Sequence, residues 1–411
     1  MLAEIFPRYH TRYTSLPVLG PHLESFAGWL QEHGYPDHLL RLRVRAAKRL
    51  DARLLQDGVR GPQDLSAASL LAYVPADARD DVYLAAVLRS LVRYFEAQGV
   101  LARTRVTPTD TLVGRYRAYL EGVRGLSAVT VTHHGRTIAE FLAFLGPDGA
   151  PDRLRDLEGD RVDAFLQILA RRQARASLQH TVAHLRSFLR FLVTSGLVPA
   201  GLDIWIDTPR VYRSERLPRA LPWETVQALL RAIDRSTAMG RRDYAMLLLI
   251  ATYGLRSCEI VTLTLDDLEW RASRLRVRRP KVGTTLLLPL TPEVGDALLD
   301  YLRHGRPELP YRELFLRVRA PAGILKPTAV AEVFQCWVRR SGLPIHFQGA
   351  HCLRHSLAVH LLRQGTSLKA IGDLLGHRSA ESTCVYLRLD VEDLREVALD
   401  LPVEAHHEDR P

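Results

Sequence analysis

Apolar residues recur every three to four positions through most of the chain, and this period predicts helices almost throughout. Only two stretches, Arg274 to Val277 and Thr285 to Leu290, alternate with the period of two that marks a strand. The pattern therefore predicts a mainly α protein with a small sheet. It breaks down across PAGLDIWIDTPRVYRSERLPRA, which is rich in proline and charge, so residues 201–217 read as a linker and 218–411 as a domain of its own. Before the linker the chain repeats itself. LRSLVRYFEAQGVL at 88–101 aligns with LRSFLRFLVTSGLV at 185–198, and Trp29-Leu30 before Gly34 parallels Tyr119-Leu120 before Gly125. This suggests a helical module over 1–104 that is a diverged copy of the one over 105–200.

Composition narrows the class. A chain of 411 residues that is 47% hydrophobic can bury more than one core. No apolar run reaches the length of a membrane span and the first residues have no signal-peptide layout, so a cytoplasmic protein is expected. The four cysteines share no CxxC spacing, which argues against a disulfide framework or a zinc site; Cys258, Cys352 and Cys384 are expected to be buried and inert. A net charge of +10 suits a polyanionic partner.

Chemistry concentrates near the C-terminus, in AHCLRHSLAVHLLRQGTSLKAIGDLLGHRSAESTCVYLRL. His351, Arg354 and His355 stand at i, i+3 and i+4, one face of a helix. A second helix, from about Ser367 to Leu375, delivers His377 just past its end, and Tyr386 follows nine residues later. Upstream, Arg256 and Glu259 lie three apart in LLLIATYGLRSCEIVTLTLDDLEW, a spacing that ordinarily makes a surface salt bridge. Lys281 sits in RLRVRRPKVGTTLLLPL. It is one of only four lysines among 56 basic residues, so lysine is used here where arginine would not serve. An ammonium can surrender a proton at usable pH and a guanidinium cannot.

These motifs resemble those of the tyrosine recombinase (phage integrase) family: HxxR, then LGH, then a tyrosine, preceded by an arginine motif and a lysine between two strands. The resemblance runs from roughly 107 to 400. It implies a helical core-binding domain over 105–200 and a catalytic domain over 218–411 with a small antiparallel sheet, the two closing as a C-shaped clamp on double-stranded DNA. Arg256, Arg354 and His377 would neutralise the phosphate oxygens, His351 would act as general base, Tyr386 as nucleophile and Lys281 as general acid, with Glu259 and His355 in support. Cleavage through a 3′-phosphotyrosyl intermediate conserves the bond energy, in keeping with the lack of a GxxxxGK phosphate loop. The reaction would serve integration, excision or transposition of a mobile element. The family also implies a homotetramer on synapsed sites, with or without other recombinases, and a tail, 391–401, that packs into a neighbouring protomer.

Two alternatives share part of this pattern: a type IB topoisomerase, which uses the same phosphotyrosine chemistry, and a non-catalytic helix-turn-helix regulator. A regulator has no use for the catalytic residues together, and the compact LGH-to-tyrosine spacing and the extra clamp domain favour recombination over the topoisomerase. His351 and His355 are spaced like a zinc pair, but Cys352-Leu353-Arg354 between them places a cation where a metal would sit, so neither metal nor cofactor is expected. His133 and His134 read as solvent-facing.

Overall fold

The computed structural model describes residues 1–75, 82–102, 107–204, 206–211, 218–279, 284–347, 349–377 and 379–389. Lys281 and the 391–401 tail lie outside the described residues, as do 212–217 of the linker. The fold is mainly helical with small antiparallel sheets, as the periodicity predicts. By contacts it divides into two compact units, residues 1–60, 73–94 and 217–411 in one, 61–72 and 95–216 in the other.

The first unit begins with the short helices α1 (Leu2–Ile5) and α2 (His10–Thr14), then the longer α3 (Gly20–Glu32) and α4 (Asp37–Gln56). Asp51 of α4 is buried because its carboxylate accepts the Val18 and Leu19 backbone N–H groups ahead of α3. The short α5 (Ala67–Leu71) belongs to the second unit, and α6 (Val82–Gln98) runs across the division.

In the second unit, α7 (Pro108–Gly122), α8 (Ala128–Leu145), α9 (Gly159–Ala170) and α10 (Arg175–Thr194) surround a core of Tyr116, Ile138, Phe141, Phe165, Phe188 and Leu192. Thr107 and Asp110 close a capping box that starts α7. Two expectations need correction here. His134 is buried, not solvent-facing: its Nδ1 lies 2.9 Å from the Tyr116 hydroxyl and its ring packs against His184, while His133 does stay exposed. The start of the linker is also less loose than its composition suggests. Ile206 is 2% exposed and joins the bundle core, and Arg186 donates to the carbonyls of Asp203 and Ile206.

The C-terminal portion of the first unit is built on α12 (Ala238–Tyr253), buried along nearly its whole length, with α11 (Trp223–Arg231) before it and α13 (Ser257–Thr262) after it. Strands β1 (Leu268–Glu269), β2 (Arg274–Arg279) and β3 (Thr284–Pro289) form an antiparallel sheet in sequence order, with Val277 opposite Leu286. Next come α14 (Pro292–His304), the two-residue strands β4 (Leu316–Arg317) and β5 (Gly323–Ile324), and α15 (Thr328–Ser341). Last are α16 (His351–Arg363), α17 (Leu368–Leu375) and α18 (Glu381–Cys384). Ser367, where the expected helix starts, caps α17: its side chain accepts the Ala370 N–H.

A buried ionic knot ties α12 to α15. Asp243 accepts from Arg242 Nε and Nη2 at 2.9 and 2.7 Å and from Trp337 Nε1 at 2.9 Å, and Arg242 Nη1 donates to the Leu316 carbonyl. Asp243→Ala would leave the Arg242 charge buried without its counter-ion, and should cost about 3–5 kcal/mol. Denaturant unfolding of the variant checks this; destabilisation below about 1 kcal/mol would show that the pair is not needed.

Candidate active site

The site forms where α13, β2, α16 and α17 converge. Gly254 ends α12 in the left-handed region, at φ +64°, and the chain then turns to place Arg256 at the head of α13. A Cβ at Gly254 would press on the tip of the Leu375 side chain, so backbone conformation and packing both favour glycine. Arg256 Nη1 donates to Glu259 Oε1 at 2.9 Å, and the same carboxylate accepts the Arg256 backbone N–H at 2.8 Å. Glu259 is only 2% exposed, so this is no surface salt bridge. Its Oε1 also lies 3.8 Å from Nε of Arg279, itself buried.

Three arginines grip the C-terminal end of α17. Arg279 donates to the carbonyls of Asp373 and Leu374, Arg354 to that of Leu375 at 2.5 Å, and Arg256 to that of Gly376 at 3.2 Å. These four consecutive carbonyls lie at the negative end of the helix dipole, where a helix end runs short of backbone donors; that of Asp373 also accepts a capping N–H, from Gly376. Arg354 also donates to the Gly254 carbonyl and is 1% exposed; burial, and then the nearby Arg256 charge, lower its pKa to about 10. Gly376, at φ +63°, leaves the space that Arg279 fills.

Tyr386 lies beside this cluster, 1% exposed, packed with Ala358, Val359, Ile371 and Leu375. Its hydroxyl is 3.0 Å from His355 Nδ1, and its ring stacks at 6.2 Å on that of His377. His377 Nδ1 lies 2.8 Å from Thr383 Oγ1, which orients the ring. His351 keeps an exposed edge at the start of α16 and meets the His355 ring edge-on at 4.5 Å. Burial pushes the Tyr386 phenol up, and the charges of Arg354 and Arg256 oppose that shift. For His355 and His377, desolvation and then the neighbouring positive groups lower the pKa to about 4, so both rings are neutral at pH 7. Arg256, Arg354, His355, His377, Tyr386 and Glu259 are thus linked by contacts, His351 adjoins through His355, and Lys281 lies outside the described residues.

Spacing alone missed Arg279 and Thr383. Arg279 had a signal: Leu275 and Val277 are buried and Arg279 shares their parity on β2, so an arginine points to the covered face. Thr383 had none. Cysteine expectations hold for Cys352, which is buried with its thiol pushed up to about 12, but Cys384 is exposed and Cys258 half-buried.

Comparison with known proteins identifies the family. The Phage integrase family model matches residues 219–393, and the family's N-terminal SAM-like domain matches 113–196. A putative integrase/recombinase, y4rA, of Sinorhizobium fredii is 34% identical over 95% of this chain and 97% of its own. The chain belongs to the tyrosine recombinase (phage integrase) family. Tyrosine recombinase XerD of Listeria innocua is 29% identical to this recombinase over 70% of the chain and 97% of its own. The fold is shared with solved structures. A lambda integrase dimer bound to a COC' core site aligns with TM-score 0.52 at 20% identity, covering 72% of this recombinase and 99% of that chain. XerH site-specific recombinase bound to difH, in a pre-cleavage complex, aligns with TM-score 0.52 at 17% identity, over 72% and 98%. The recombinase is accordingly an enzyme of site-specific DNA recombination. No helix among its described residues is long and apolar enough to cross a membrane.

The neutral histidines set a pH dependence. The unfolded chain, whose histidines titrate near 6.5, binds protons before the folded chain, whose His355 and His377 titrate near 4. Their contribution to stability is therefore fully present above about pH 6.5 and is lost as pH falls toward 4. The denaturation midpoint should drop between pH 6.5 and 5, above the carboxylate range, and the drop should shrink in His355→Gln. Equal slopes in the two proteins would contradict the assignment.

Proposed function

We propose that Tyr386 is the nucleophile that opens a DNA strand, leaving a 3′-phosphotyrosyl bond and a free 5′ hydroxyl. The observation that carries this is the placement of one phenol against two neutral histidines and a cluster of arginines. A phenol with pKa near 10 costs about 4 kcal/mol to ionise at pH 7, so attack needs a proton acceptor and a positive field. His355 Nδ1 lies within hydrogen-bond distance of that hydroxyl, so His355 shares with His351 the base role that spacing assigns to His351 alone.

Arg256, Arg354 and His377 meet the non-bridging oxygens. Arg354 spends one N–H on Gly254 and one on Leu375, and a guanidinium has five, so donors remain for phosphate. Glu259 holds Arg256 and offsets part of the clustered charge. Lys281 supplies the proton to the departing 5′ oxygen. As Tyr386 Oη bonds to phosphorus, the P–O5′ bond breaks; the phenolic proton goes to histidine and the leaving oxygen takes one from lysine. Attack by a second 5′ hydroxyl reverses each transfer and joins new partners.

Residues 105–200 are the core-binding domain in this reading, 201–217 the linker and 218–411 the catalytic domain on double-stranded DNA. The family match to 113–196 and 219–393 supports the division. The active assembly is a homotetramer on two synapsed sites. A lambda integrase tetramer on a Holliday junction shares the fold, at TM-score 0.53. Exchange of strands at a mobile element accounts for the similarity to putative integrases better than simple relaxation of supercoils.

Tyr386→Phe should bind a nicked suicide substrate normally and form no covalent adduct, read by denaturing gel; a persisting adduct would remove Tyr386 from the role. Lys281→Arg keeps the charge, yet should cleave nearly as poorly as Lys281→Ala. A 5′-phosphorothiolate, whose leaving group needs no proton, should restore both variants. Equal impairment on the two substrates would make Lys281 a phosphate ligand only.

A further inference from the structure

Three N-terminal helices, α3, α4 and α6, repeat much of the burial pattern of α7, α8 and α10. Leu23, Phe26 and Leu30 of α3 are buried, as are Val113, Tyr116 and Leu120 of α7, ninety residues on. On α4 the buried Leu40, Ala47 and Leu50 answer to Val131, Ile138 and Phe141 of α8, at an offset of ninety-one. A left-handed glycine follows α3 and α7 within three residues, Gly34 at φ +75° and Gly125 at φ +61°. The same holds after both last helices, with Gly99 at φ +65° and Gly196 at φ +68°. The closing hydrogen bonds match too: Val100 N–H to Phe95 O at 3.1 Å, and Leu197 N–H to Leu192 O at 2.9 Å.

Aromatic packing is duplicated with the backbone. Tyr94 of α6 meets Phe26 at 5.4 Å and Trp29 at 6.0 Å between ring centroids. Its counterpart, Phe191 of α10, meets Tyr116 and Tyr119, both at 5.3 Å. Two amphipathic helices ending in glycine can look alike by convergence. A shared burial register on three helices, with the same aromatic trio, requires a common bundle plan.

The copies differ on the outer face of the second helix. Arg41, Arg45, Lys48, Arg49 and Arg53 follow one side of α4 for about 18 Å. The matching positions of α8 hold Thr132, Arg136, Ala139, Glu140 and Phe144. Four of the five α4 residues are exposed and Lys48 is half-buried. The acids of α4 lie elsewhere: Asp37 in its first turn, and Asp51 buried on Val18 and Leu19. Arg45 lies over the Phe6 ring, 5.9 Å from its centroid, but cations spaced at i, i+4 repel one another, so pairing within α4 does not account for the stripe. A regular line of phosphates does.

We propose that the N-terminal module is a second copy of the core-binding bundle and that the outer face of α4 binds the phosphate backbone of duplex DNA flanking the recombination site. This rests on the recombinase reading above. It adds a DNA-binding surface outside the 113–196 and 219–393 segments that the family models match.

The test uses the full chain carrying Arg41→Gln, Arg45→Gln and Arg53→Gln, with Arg41→Lys, Arg45→Lys and Arg53→Lys as the charge-retaining control. Affinity for a site-bearing duplex extended by a helical turn on each side is measured across a salt series. Each cation withdrawn from a phosphate should reduce the slope of log affinity against log salt by about 0.9, so the glutamine variant should be shallower by up to about 2.7, while the lysine variant keeps the original slope. An unchanged slope in the glutamine variant overturns the proposal and leaves an acidic protein surface as the partner for α4. The two readings fail separately, because the covalent adduct of the unaltered chain tests the catalysis and the salt slope tests this surface.

Discussion

The end of α17 is the point on which the candidate site depends. A helix end runs short of backbone donors for its last carbonyls, and here Arg279, Arg354 and Arg256 donate to four in succession, from Asp373 to Gly376. The grip joins residues more than a hundred positions apart in sequence. It also sets where His377 emerges, since that histidine follows Gly376 directly. Three guanidinium groups so close together repel one another. The cluster is tolerable because Glu259 is buried among them and the helix dipole presents its negative end.

Burial, and then the positive field so created, explains the state of the other groups. Histidines partly removed from water and set beside fixed cations do not hold protons, which keeps His355 and His377 as acceptors at neutral pH. The phenol of Tyr386 feels two opposed effects, burial favouring its neutral form and the arginines its anion. An incoming phosphodiester would share this field, so positioning and charge neutralisation come from the same side chains. The scaffold under them is held by neutral packing and by the Arg242–Asp243–Trp337 knot, which lies apart from the site and lets α12 carry Gly254 and Arg256 on a rigid base.

Much of this was legible in the residues, for reasons that differ by element. Helical periodicity located α16 and α17 because their apolar faces are regular, and Ser367 marked the start of α17 because a hydroxyl there caps free N–H groups. Alternation located β2 and β3, and the same alternation held a further clue in Arg279. Burial of polar groups was the weak point. His134, Glu259 and Thr383 look like ordinary surface residues in the sequence; each is buried because its partner arrives from another segment or turn, Tyr116, Arg279 and His377 respectively.

By itself the sequence determined the local elements, the spacing of His351, Arg354, His377 and Tyr386, and the chemistry open to each, because periodicity, capping and side-chain acidity are properties of short stretches. It also held the repeated order of apolar positions on which the second-bundle proposal rests. Only the tertiary structure decided that Tyr386 bonds to His355, that Glu259 is enclosed, and that three arginines close on one helix end. Hydrogen-bond partners and burial depend on which distant segments meet, and no local pattern encodes a contact between residues a hundred positions apart.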